Sequence, residues 1–218
     1  MNKFDVFVGD CLQILPALDD KSVDVVLVDP PYGLGFPYEG YDDTRENLKA
    51  LIDGFLPHAI RIARKRVLIL CGVTQITLYP NPSWTACVSW TTTHSYGKYG
   101  FGQWCPLLCY GKDVRGIGRV NGILKSDVLC VGGGRDSRAN RTENELRHPC
   151  PKPLRTMRLV LKRFVETGSL VLDPMMGIGT TGVACMVEGY DFIGIDTNEE
   201  YVDIGRTRIE EARNKTTP

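Results

Sequence analysis

Hydrophobic and polar positions along the chain alternate between two patterns. Short apolar runs at Ser22–Val28, Val67–Cys71, Pro106–Tyr110, Leu170–Leu172 and Phe192–Ile195 have the length and composition of strands buried on both faces. Phe4–Val8 alternates as a short strand ending at Gly9-Asp10, and Cys87–Trp90 reads as another. Between these lie stripes of helical period. Asp43–Lys65 carries Leu48, Leu51, Ile52, Phe55, Ala59, Ile62 and Ala63 on one face, with Pro57 expected to kink or interrupt it. Cys11–Leu18 predicts a short helix broken by Pro16, and Lys152–Glu166, Thr180–Glu188 and Asn198–Arg213 predict three more. Strands alternating with helices predict a doubly wound α/β sheet, which binds ligands at the carboxyl ends of its strands.

The run 22–28 stops in an unusual way, at Asp29-Pro30-Pro31-Tyr32. Two prolines fix φ and supply no N–H, so nearby carbonyls stay free to accept from another group. With a carboxylate and an aromatic face beside them, they would form a rigid pocket for an amino group on a planar ring. The plainer alternative is a Pro-rich turn with a helix-capping Asp. The loop that follows, 33–42, is rich in Gly and aromatics, and serves either as a lid or as an ordinary surface loop.

A second anchor follows the run 170–172, at Asp173-Pro174-Met175-Met176-Gly177-Ile178-Gly179-Thr180-Thr181-Gly182. Gly177 and Gly179 would let the backbone approach a ligand, and Thr180 and Thr181 would cap the helix that follows. An acid closes the next strand at Asp196, and 196 − 177 = 19 suits a carboxylate that grips ribose hydroxyls in a nucleotide-type α/β site.

These two motifs resemble those of the amino-group DNA methyltransferases that use S-adenosylmethionine. Their order, catalytic tetrad first and cofactor motif last, resembles the circularly permuted β class of that family. His148-Pro149-Cys150-Pro151-Lys152-Pro153-Leu154 is similar to the element that completes the family's cofactor pocket, and Gly9-Asp10-Cys11 to an element beside the cofactor adenine. The family usually has Phe and a small residue where Met175 and Met176 stand, and Met can fill the same volume. The resemblance implies a Rossmann-like class I methyltransferase fold with a seven-stranded, mostly parallel sheet and one antiparallel strand. The implied order from edge to edge is 4–8, 191–195, 169–172, 23–28, 67–71, 106–110 and 86–90, with 106–110 reversed. Asp29, Pro30, Pro31 and Tyr32 would be catalytic. Asp10, Cys11, Asp29, Lys152, Pro153, Asp173, Pro174, Met176, Gly177, Gly179, Thr180, Thr181 and Asp196 would bind S-adenosyl-L-methionine.

Charge adds a possible partner. The chain of 218 residues has a net charge of zero, yet residues 111–163 hold 13 Lys/Arg against 5 Asp/Glu, or 13 − 5 = +8. The rest carries 13 − 21 = −8, so either a basic face or a solvated charged helix is encoded there. Periodicity fades over 112–147, where Gly132-Gly133-Gly134 is flanked by basic residues. This segment is expected to be a short target-recognition insertion at about 111–147 within a single domain of 1–218, with Arg135, Arg138 and Arg141 touching DNA. The aromatic stretch Thr91–Gln103, with Lys98 interleaved, reads as a loop that either stacks on exposed bases or forms a satellite core.

Eight cysteines without Cys-x-x-Cys spacing and only three histidines argue against a zinc site, and no metal is expected. The amino terminus lacks a long apolar stretch, so no membrane partner is expected and a reducing cytoplasm is. The expected partner is double-stranded DNA, and the expected state is a monomer or homodimer. The resemblance implies methyl transfer to adenine N6, with cytosine N4 as the alternative base. A non-catalytic nucleic-acid-binding subunit is the alternative class.

Overall fold

The computed structural model describes residues 2–90, 95–97, 100–111, 119–120, 123–124, 126–131, 148 and 150–216. Its centre is one mixed sheet. In chain order the first elements are β1 (Phe4–Val8), α1 (Cys11–Ile14), β2 (Val23–Val28), the two-residue strands β3 (Pro37–Tyr38) and β4 (Tyr41–Asp42), α2 (Arg45–Ile62), β5 (Ala63–Leu70) and β6 (Trp84–Trp90). Then come β7 (Ser95–Gly97), β8 (Gly100–Gly102), β9 (Trp104–Gly111), β10 (Arg119–Val120), β11 (Ile123–Leu124) and β12 (Val128–Val131). The last are α3 (Leu154–Phe164), β13 (Leu170–Asp173), α4 (Thr180–Glu188), β14 (Asp191–Asp196) and α5 (Glu199–Thr216).

The main sheet runs β1-β14-β13-β2-β5-β9-β6-β12. The order of its first seven strands is the expected one, and β9 is antiparallel to both β5 and β6 while the other neighbours are parallel. The expected count of seven is corrected to eight, because β12 adds to the edge alongside β6. β12 is short, and its residues alternate between exposed and buried, so it leaves no continuous apolar run to read.

Burial on both faces explains the unbroken apolar runs. Along β2, Val25 and Leu27 join the core under α3, α4 and α5, while Val23, Val26 and Val28 join the core under α2. The first core is filled by Met157, Leu161, Phe164, Ala184 and Ile209, and the second by Leu48, Ile52, Phe55 and Ile62. Thr44 starts α2 by accepting from Asn47 N–H (3.2 Å), and the helix continues through Pro57 for 18 residues before turning directly into β5 at Ala63. The sheet stays in register at its centre, with Leu172 opposite Val26 and Val26 opposite Val67. This brings the carboxyl ends of β2, β13 and β14 together. Two stretches expected to be loops contain hairpins, β3 with β4 and β7 with β8. No helix among the described residues is long and apolar enough to cross a membrane.

Candidate active site

Three acids stand at the ends of neighbouring strands: Asp29 after β2, Asp173 closing β13 and Asp196 closing β14. All three line one cavity of ≈ 530 Å³. That volume lies within the usual range for small-molecule pockets.

At the β2 end, the Asp29 carboxylate is held on both oxygens. The Tyr32 hydroxyl donates to Oδ1 (2.8 Å), and the Lys152 ammonium lies 2.8 Å from Oδ2. The same ammonium sits 4.5 Å from the centroid of the Tyr32 ring, a cation–π distance. Burial alone would disfavour the Lys152 charge, but Asp29 and the nearby Cys150 and Cys105 raise its pKa above the ordinary lysine value. Burial, reinforced by Asp29, also raises the Tyr32 phenol well above its ordinary pKa, so it remains a donor at neutral pH.

At the β13 end, Asp173 is nearly inaccessible to solvent. Burial pushes its carboxyl up to about 7, against hydrogen bonds from the Thr181 hydroxyl (2.6 Å) and Met175 N–H (3.1 Å) that pull it down. The expected capping role of Thr180 and Thr181 is therefore corrected. Gly179 is the N-cap of α4, and no side chain makes a cap hydrogen bond there. A buried carboxylate needs donors, and the Thr181 hydroxyl meets that need.

At the β14 end, Asp196 knits the turn after β13 to the end of β14. Its Oδ2 accepts from Gly177 N–H (2.8 Å), its Oδ1 from Asn198 N–H (3.0 Å), and its carbonyl from Gly9 N–H (2.9 Å). Burial raises its pKa despite the N–H donors. Gly177 has φ +52°, which favours glycine, and a Cβ there would lie 2.9 Å from His148 Nε2, so the ring would have to shift. Asp10 accepts from Leu12 N–H (2.8 Å) and caps α1, and the buried Cys11 thiol is pushed up to about 12 by desolvation with Asp10 and Asp196 adding to it.

The cavity brings together most of the expected site. Asp29, Pro30, Pro31 and Tyr32 line one part, and Asp10, Cys11, Lys152, Asp173, Pro174, Met176, Gly177, Thr180, Thr181 and Asp196 line the rest. Pro153 and Gly179 are not among the lining residues. Pro153 is the N-cap of α3. Gly179 faces α5, where an added Cβ would come 3.0 Å from Gly205 Cα. Met176 reaches back into the core, and a Cβ at Gly194 would overlap its sulfur. Arg135, Arg138 and Arg141 lie outside the described residues.

Several lining residues carry no motif signal. Tyr38 stands with its ring 6.0 Å from that of His148, which is 5.0 Å from Tyr201. Asn198 caps the start of α5 by accepting from Tyr201 N–H (3.0 Å), and its side chain donates to Glu39 (3.0 Å). The nearest sequence cue is Asn198 itself, two residues past Asp196 and at the start of a helical stripe.

Known proteins resemble this chain in sequence and in fold. Residues 102–207 match the DNA methylase family of N6 and N4 methyltransferases. That match takes in Lys152, Asp173 and Asp196 but not Asp29. The Type II methyltransferase M.HpaI of Haemophilus parainfluenzae is 25% identical over 236 residues, covering 93% of this chain and 73% of the relative. The crystal structure of the M1.HpyAVI-SAM complex superposes with a TM-score of 0.68 at 19% identity, covering 94% of this chain and 98% of that one. The PvuII DNA methyltransferase, described as cytosine-N4-specific, superposes at 0.72 with 13% identity, covering 99% and 93%. Both structures share the fold of this chain.

Proposed function

We propose that this DNA methyltransferase transfers a methyl group from S-adenosylmethionine to adenine N6 in duplex DNA. The observation that carries the reading is the convergence of Asp29 with Asp173 and Asp196 on one cavity, an amine-holding carboxylate next to a cofactor turn. The residues present fit the cofactor. Gly177 allows close backbone approach, and the Asp196 carboxylate keeps lone pairs for ribose hydroxyls after accepting from Gly177 and Asn198. When bound, the cofactor supplies an electrophilic sulfonium methyl.

The chain's own residues then have a positioning task. An exocyclic amino nitrogen is a poor nucleophile because its lone pair is conjugated into the ring. Asp29 and the Pro30 carbonyl would accept its two hydrogens and favour a tetrahedral nitrogen whose lone pair points at the methyl group. Two oxygens already engaged by Tyr32 and Lys152 hold the Asp29 carboxylate in one orientation for that purpose. The target base would leave the duplex stack, with Tyr32 offering an aromatic surface in exchange. Residues 111–147, Arg135, Arg138 and Arg141 among them, would contact the DNA.

A second reading, cytosine N4, is favoured by the likeness to the cytosine-N4-specific PvuII enzyme. Adenine is preferred because, in the resembled family, Asp at the first tetrad position goes mostly with adenine and Ser mostly with cytosine. DNA methylated by the purified protein, digested to nucleosides and analysed by mass spectrometry, is expected to contain N6-methyladenine. N4-methylcytosine alone would reverse the base assignment, and no methylated base with any duplex substrate would support a binding subunit instead.

A further inference from the structure

Directly after Tyr32, four successive backbone N–H groups converge on one residue. Gly33, Leu34 and Phe36 donate to the Asp43 carboxylate at 2.6, 3.0 and 3.0 Å, and Gly35 donates to the Asp43 carbonyl at 2.9 Å. Asp43 is only 2% exposed, a costly place for a carboxylate unless donors surround it. Gly33 and Gly35 both adopt positive φ, at 66° and 76°, which turns the N–H groups inward as an anion-binding nest. The anion of this nest is part of the chain itself. Its neighbour Thr44 caps α2, so the turn is also fastened to a long helix whose inner face is buried.

The segment enclosed by this closure is the β3–β4 hairpin. From its tip Glu39 accepts from the Asn198 side chain (3.0 Å), and Asn198 N–H in turn donates to Asp196. Tyr38 rests against His148, which rests against Tyr201. The hairpin therefore spans from the end of the β2 motif to the start of α5, and Phe36, Tyr38 and Glu39 all line the cavity.

We propose that Asp43 is a positioning residue of the active site: its carboxylate shapes residues 33–36 and so seats the 37–42 hairpin as a cover over the cofactor compartment, latched by Glu39 on Asn198. The inference rests on the reading of that compartment as an S-adenosylmethionine site. The cover acts on cofactor retention, whereas Asp29 acts on the target amine. Loss of the pin should therefore raise the KM for the cofactor and leave kcat at saturating cofactor largely unchanged. A purely structural loss would lower kcat with the active fraction and leave KM where it was.

The test uses the full chain and S-adenosylhomocysteine, titrated by calorimetry into the native protein, Asp43→Asn and Glu39→Ala. Asp43→Asn presents an amide NH₂ to N–H donors and is expected to weaken binding about tenfold. Glu39→Ala removes only an exposed latch and is expected to weaken binding about threefold with an unchanged melting temperature. Native binding with both variants at native affinity would overturn the inference while leaving the cofactor reading intact. Failure of the native protein to bind would instead overturn the cofactor reading and the inference with it. If Asp43→Asn does not fold, Glu39→Ala decides alone, and native affinity in that variant overturns the inference.

Discussion

The Lys152 ammonium lies 2.8 Å from Asp29 Oδ2, joining the segment ahead of α3 to the end of β2. The resemblance assigns Lys152 to the cofactor and Asp29 to both the target base and the cofactor, and in the structure they form one ion pair with little solvent access, 9% and 19% exposed. The two halves of the site are thereby coupled directly through an ion pair. Removing either partner leaves the other charge poorly solvated, which costs more than the pair itself contributes.

The expected outcome for Asp29→Ala is thus twofold. Methyl transfer is abolished, and stability falls on the order of 3 kcal/mol because the Lys152 charge is stranded. Combining Asp29→Ala with Lys152→Met should restore much of that stability, which denaturant unfolding of the single and double variants would measure. Simple additivity of the two single effects would mean that the pair is not coupled in solution.

Asp196 supports two roles that a single substitution can separate. Asp196→Asn keeps an acceptor for one backbone N–H but offers less to ribose hydroxyls than a carboxylate does. Its KM for the cofactor is expected to rise roughly ten- to a hundredfold, the effect of losing charged hydrogen bonds. Steady-state kinetics at varied cofactor decides it. An unchanged KM with a lowered melting temperature would restrict Asp196 to holding Gly177 and Asn198.

What is legible in the chain follows from burial. β2, β5, β13 and β14 lie in the middle of the sheet, so both faces demand apolar residues and the runs stand out. β12 has one neighbour and alternates, so Val128–Val131 leaves only a weak trace. Thr181 shows the limit of local rules. A Thr at the start of a helix reads as a cap, but the buried Asp173 carboxyl claims its hydroxyl from the preceding strand end. Asp43 reads only as the edge of a helix, because its hydrogen bonds are set by a turn whose φ values no pattern of polarity records.

The basic stretch at 111–147 allows a test independent of the cavity. If residues 111–147 touch phosphates through Arg135, Arg138 and Arg141, replacing all three with Ala should weaken DNA binding. Its salt dependence should also flatten, by about one unit of slope for each phosphate that an arginine neutralises. Fluorescence anisotropy across a range of salt concentrations would measure both. Native affinity and slope in the triple variant would move the DNA-binding surface elsewhere, with the aromatic stretch at 91–104 as the next candidate.

Asp173 makes stability depend on pH in the direction opposite to that of an ordinary salt-bridged carboxylate. Burial, opposed by Thr181 and Met175, raises its folded pKa from 3.8 to about 7. Between these values the folded chain holds a proton that the unfolded chain has released. Stability from this group is fully present below about pH 4, declines as pH rises through 7, and is flat above. A shift of this size corresponds to a loss of up to about 4 kcal/mol between the two plateaus. Asp173→Asn removes the titration while leaving a carbonyl for the Thr181 hydroxyl, so its stability should gain on the native protein from pH 5 to pH 7 and level off by pH 8. Thermal or urea unfolding of both proteins across that range measures the difference directly. A constant difference would mean that the Asp173 carboxyl ionises in the folded chain near its ordinary value, with the Thr181 and Met175 donors outweighing burial.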